Sequence, residues 1–98
     1  MRKLPTSYQV WVLGYNNEDC ITDFNEFLGE FQSGSEATKY AESLSLSDLK
    51  DKLERMGAEF SKDVRYLHLQ VETVKKHKGW EENVDTIYED TFDLKEDE

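Results

Sequence analysis

Ninety-eight residues fit one domain, and a formal charge of −10 sets the chain against direct binding to nucleic acid or to an anionic membrane surface. A single cysteine, Cys20, rules out an internal disulfide and suits a reducing cytoplasm, while no apolar run approaches the roughly 20 residues of a bilayer-spanning helix. Met1–Ser7 is short, polar and interrupted by Pro5, so no signal peptide is expected.

The charge is uneven. Residues 16–31 carry five acids and no base, and residues 81–98 carry nine acids against Lys95 alone. Between them the chain is nearly neutral.

Ser7–Tyr15 reads as a first strand that is apolar on both sides. Tyr8, Val10 and Val12 form one face; Trp11, Leu13 and Tyr15 belong to the other. Such a strand is usually central in a sheet. A chain this small covers one of those faces readily. The other is expected to meet a partner protein or a second copy, or else to lie under a loop or the C-terminal tail.

Asn16–Ile21 has the composition of a turn. Thr22–Phe31 is ambiguous, because Phe24, Phe27, Leu28 and Phe31 also stand at helical spacing. A strand is the better assignment, since Gly29 in a helix centre costs about 1 kcal/mol relative to Ala. On simple alternation, Phe27, Gly29 and Phe31 then face one way and Glu26 and Glu30 the other.

Ser33-Gly-Ser-Glu36 is a capping box, opening a helix with Ala37, Tyr40, Ala41 and Leu44 on one stripe. Ser45-Leu-Ser-Asp48 repeats the device ahead of Leu46, Leu49, Leu53 and Met56. Gly57 supplies a stop, and Phe60 is expected to pack back beneath that end.

Val64–Val74 alternates almost without interruption. Leu67, Leu69 and Val71 fall on one side; Tyr66, His68, Gln70 and Glu72 fall on the other. This is the clearest strand in the chain. Lys75–Trp80 reads as a turn carrying the only basic cluster, expected to pair with Glu81 and Glu82 or with acids of a second subunit. Val84–Phe92 gives the last strand, with Val84, Thr86, Tyr88, Asp90 and Phe92 on one face. Asp85, Glu89 and Asp93 would form an opposite row, successive members about 13 Å apart.

The elements predict an α+β fold: a four-stranded antiparallel sheet in ββααββ order with two helices packed on one face. The domain is expected over residues 1–94, followed by a disordered acidic tail at 95–98.

Catalytic chemistry has little support. Neither His68 nor His77 stands in a local motif with Cys20 or a serine, and the glycines are isolated, so no phosphate loop is present. Asn16, Asn17, Glu18, Asp19 and Asp23 offer hard oxygen ligands, but their spacing lacks the glycine of a calcium-binding EF-hand. One cysteine and two histidines make no zinc set. No enzyme activity, metal or cofactor is therefore expected.

The expected function is that of a small acidic interaction module acting on a protein partner or on itself as a homodimer. Trp11, Leu13 and Tyr15 are the candidate apolar contact, and Asp85, Glu89 and Asp93 the candidate acidic one. An alternative is an inhibitor whose carboxylates imitate a phosphate backbone for a basic nucleic-acid-binding protein. Against both stands the plainer role of acidic strand faces in solubility and edge protection. An enzyme with an unrecognised site is the remaining alternative.

Overall fold

The computed structural model describes residues 6–16, 22–57 and 64–94. Strands β1 (Thr6–Asn16) and β2 (Thr22–Phe31) precede helices α1 (Gly34–Glu42) and α2 (Leu46–Arg55), followed by strands β3 (Val64–His77) and β4 (Trp80–Asp93). The four strands form one antiparallel sheet, as the ββααββ pattern predicts, and stand in the order β2-β1-β3-β4. Thr22–Phe31 is a strand rather than a helix. The expected turn over 17–21, Cys20, the packing of Phe60 and the acidic tail at 95–98 lie outside the described residues.

Strand β1 is central, as its two apolar faces require. Val10, Val12 and Gly14 stand opposite Val71, Leu69 and Leu67 of β3. Because β2 and β3 both run antiparallel to β1, they are parallel to each other, and the helical pair makes the crossover between them. It brings Ala37, Ala41, Leu49 and Leu53 onto Val10, Val12, Leu67, Leu69 and Val71 in one core. All the valines and leucines of that set are 0% exposed. Each contributes about 1.5–3 kcal/mol through burial of its side chain.

Both helices start where the sequence directs. The Ser33 hydroxyl accepts from the Glu36 backbone N–H at 3.3 Å. At α2 the box is reciprocal: Ser45 accepts from Asp48 N–H at 3.1 Å, and Asp48 accepts from Ser45 N–H at 3.0 Å. The Ser45 backbone N–H, together with the Ser45 hydroxyl that donates to the same carboxylate oxygen at 3.0 Å, holds the Asp48 carboxyl below its ordinary value. Gly57, at φ 77°, follows the end of α2. Met56 does not join the helix's apolar stripe. It is the C-cap and is 45% exposed.

The edge strands depart from simple alternation. Along β2, Trp11 pairs with Phe27 and Val10 with Gly29, so Leu28 is an extra residue between them. Along β4, Tyr88 pairs with Val71 and Thr86 with Glu72, so Ile87 is extra; Val84 is extra between Asn83 and Asp85. Each such bulge flips the side-chain parity beyond it. Phe27 consequently faces away from Phe31, and Glu26 away from Glu30. Thr86 likewise leaves the face of Tyr88, Asp90 and Phe92.

The basic turn is shorter than expected. Lys75, Lys76 and His77 belong to β3, leaving Lys78 and Gly79 as a two-residue loop with Gly79 at φ 88°.

Candidate functional site

The sheet face turned away from the helices, here the far face, carries Ser7, Gln9, Trp11, Leu13 and Tyr15 from β1. Opposite them on β3 stand Val74, Glu72, Gln70, His68 and Tyr66. Its two ends differ in chemistry.

At the end near the β3–β4 loop, polar side chains tie the strands together. The Trp11 indole N–H donates to Gln9 Oε1 at 3.1 Å. Gln9 Nε2 lies 3.0 Å from Glu30 Oε2 and 3.2 Å from Glu81 Oε2. Lys76 donates to Glu30 Oε1 at 2.8 Å. The bonds from Lys76 and Gln9 hold the Glu30 carboxyl below its ordinary value, and the bond to Glu30 raises Lys76. The Gln9–Glu81 bond passes over β3 and the Lys76–Glu30 bond over β1, so these side chains cross the far face at this corner of the sheet. Ser7, Gln9, Glu72 and Val74 are buried there, with Thr86 donating to Glu72 at 2.7 Å. At the tip, His77 stacks on Trp80 with centroids 4.0 Å apart and accompanies Glu82 at 2.9 Å.

The other end is aromatic. The register sets out three cross-strand rows over β1, β3 and β4: Trp11–Gln70–Glu89, Leu13–His68–Thr91 and Tyr15–Tyr66–Asp93. Adjacent members are one strand spacing apart, about 4.8 Å. The Tyr15 and His68 rings meet edge to face at 6.0 Å. His68 Nδ1 is 2.9 Å from Thr91 Oγ1, and its Nε2 is 3.9 Å from Glu89 Oε1. Arg65 lies over the Tyr66 ring at 5.2 Å and pairs with Asp93 at 3.3 Å. Trp11 extends the aromatic surface to Phe27 on β2, centroids 5.4 Å apart.

Two shallow depressions follow β1 along this face. One, of about 180 Å³, lies among Trp11, Leu13, Asn25, Gln70, Glu72 and Asn83. The other, of about 500 Å³, lies among Tyr15, Tyr66, His68 and Thr91. A third depression, at the β2 edge, is bounded by Phe27, Leu28, Lys52, Arg55 and Met56.

The sequence-predicted residues thus regroup. Trp11, Leu13 and Tyr15 share the far face, each partly exposed. Glu89 and Asp93 join them there, two strands away. Asp85 does not: it pairs with Thr73, on the helix side, because the Ile87 bulge lies between it and Glu89. The expected acidic row is divided. Tyr66 and His68 are site residues that sequence reasoning left as an ordinary polar face; the pairing of Tyr15 with Tyr66 is what brings them in.

Among the described residues no three His, Cys, Asp or Glu side chains gather as a metal site, and no helix is long and apolar enough to cross a membrane. Comparison with protein-family models, curated proteins and solved structures finds no match for the chain.

Proposed function

We propose that this chain is a non-enzymatic interaction module that binds another protein through the far face of its sheet. One observation carries the reading. Trp11, Leu13 and Tyr15 occupy the central strand, opposite the helix-covered face, and keep part of their surface exposed in a chain whose residues are 35% charged. Aromatic residues with a polar rim are the composition of protein-binding patches.

Glu89, largely exposed on the same face, favours a partner with basic character, whereas Asp93 is already paired with Arg65. The nucleic-acid-mimic reading loses its row of three carboxylates to the Ile87 bulge, and is the weaker alternative. The cytoplasm is the compartment we assign, because a lone cysteine makes no internal disulfide.

A photo-reactive amino acid at Leu13, compared with one at exposed Ser47 on α2, tests the reading in cells. A discrete adduct from position 13 alone is expected. Identical adducts from both positions, or none from position 13, would overturn it. Light scattering at micromolar concentration identifies the kind of partner. A monomer mass is expected; a dimer mass lost in Trp11→Ala would make the partner a second copy.

A further inference from the structure

We infer that the depression between Tyr15, Tyr66, His68 and Thr91 receives an arginine side chain, so that the partner presents arginine in an exposed basic segment. The inference rests on the far face being the binding surface and names the chemistry it recognises.

Three observations converge on a guanidinium. The walls are ring faces and edges: Tyr15 and His68 in edge-to-face contact, with Tyr66 paired across from Tyr15. A planar, weakly hydrated cation is attracted to such rings. One carboxylate stands beside them: Glu89 lies 3.9 Å from His68 Nε2 with its side chain 60% exposed, free to swing toward an incoming charge. The protein also uses this combination internally. Arg65 lies over the Tyr66 ring while pairing with Asp93, which engages that ring and that carboxylate and leaves Tyr15, His68 and Glu89 to meet an incoming guanidinium.

The depression, of about 500 Å³, is larger than one guanidinium needs. It therefore has room for the side chain together with part of the backbone that carries it. On the same face Trp11 and Leu13 line a separate depression together with the polar side chains of Asn25, Gln70, Glu72 and Asn83, so the residues flanking the arginine meet a surface that is only partly apolar. A peptide that sets an arginine beside leucine reaches Leu13 and Trp11 from the aromatic depression. A lysine matches less well, because a compact ammonium is strongly hydrated and lacks a planar face for stacking.

The test is an NMR titration of the full ¹⁵N-labelled chain with a short capped peptide, Gly-Leu-Arg-Leu-Gly, and its glutamine and lysine counterparts. The arginine peptide is expected to shift the amides of Tyr15, Tyr66, His68 and Glu89. Its affinity should exceed that of the glutamine peptide by about tenfold and fall as salt is raised. Glu89→Gln, at a largely exposed side chain, preserves the fold and should weaken arginine binding several-fold. Tyr15→Leu should weaken it further, with the amide spectrum reporting that the sheet is intact. Equal shifts from arginine and glutamine peptides, or shifts gathered on α2 or the β2 edge, would overturn the inference. So would a spectrum showing the far face already occupied by a second copy. If the peptide fails while the Leu13 adduct persists, the arginine receptor falls and the far-face reading stands. If the adduct is absent, that reading fails by itself.

Discussion

The two faces of one sheet solve their burial problem in opposite ways. On the helix side, Val10, Val12, Leu67, Leu69 and Val71 disappear beneath α1 and α2. On the far side, Trp11, Leu13 and Tyr15 are equally hydrophobic in sequence but keep part of their surface exposed, and among the described residues their neighbours are bonded side chains rather than a second layer. Apolar content in a strand therefore marks two different things here. Under the helices it is a folding contribution; away from them Val74 is buried as well, and Trp11, Leu13 and Tyr15 form a surface with capacity to bind.

The largest way to break that contrast is on the covered side. Leu69→Ala removes a fully buried side chain and should cost about 2–5 kcal/mol in urea unfolding. A loss below about 1 kcal/mol would mean that the helix-side core is not where the stability resides.

Gly79→Ala probes the β3–β4 hairpin, whose strands carry Lys76 and Glu81 of the far-face bonds. A Cβ there meets nothing within 4 Å, so its penalty is confined to the backbone at φ 88°. About 1–2 kcal/mol is expected from equilibrium unfolding. Ser45→Ala tests the covered side from its margin, where loss of the α2 cap should cost about 1 kcal/mol, read the same way.

The smallest effect is electrostatic and belongs to the far face. Glu30 is held below its ordinary value of 4.5, so its stabilisation is present above that pH and is lost as pH falls through the lowered value. Lys76 is raised above 10.5, so its contribution is complete below that pH and disappears as pH rises through the raised value. The bond between them should therefore stabilise the sheet from about pH 4.5 to about 10.5 and fade outside that window. Because both side chains are partly exposed, the effect is modest. Comparing acid-unfolding curves of the parent and Glu30→Gln measures it: the variant should lose less stability on acidification.

Much of the fold was legible because its signals are local. Ser45 and Asp48 announce α2 within four residues, and the alternation of Leu67, Leu69 and Val71 is preserved in the structure. The bulges were not legible. An extra Ile87 or Leu28 carries no compositional mark, since each is one of several apolar residues in its strand, yet it moves Asp85 and Phe27 to the other side. Met56 continues the spacing of Leu49 and Leu53 on paper but falls after the last helical turn.

The candidate site was legible in halves. Alternation in β1 identified Trp11, Leu13 and Tyr15, and charge density identified the acids of β4. Their union depends on β3 lying between them, and on Tyr15 meeting Tyr66 some fifty residues later, which no local pattern encodes.

The most direct measurement is the unfolding free energy of Leu13→Glu set beside that of Leu69→Glu. If the far face is a surface held for a partner, the charge at position 13 should cost less than about 1 kcal/mol, whereas at position 69 it should prevent stable folding. Comparable losses at the two positions would place Leu13 in the interior and contradict the account.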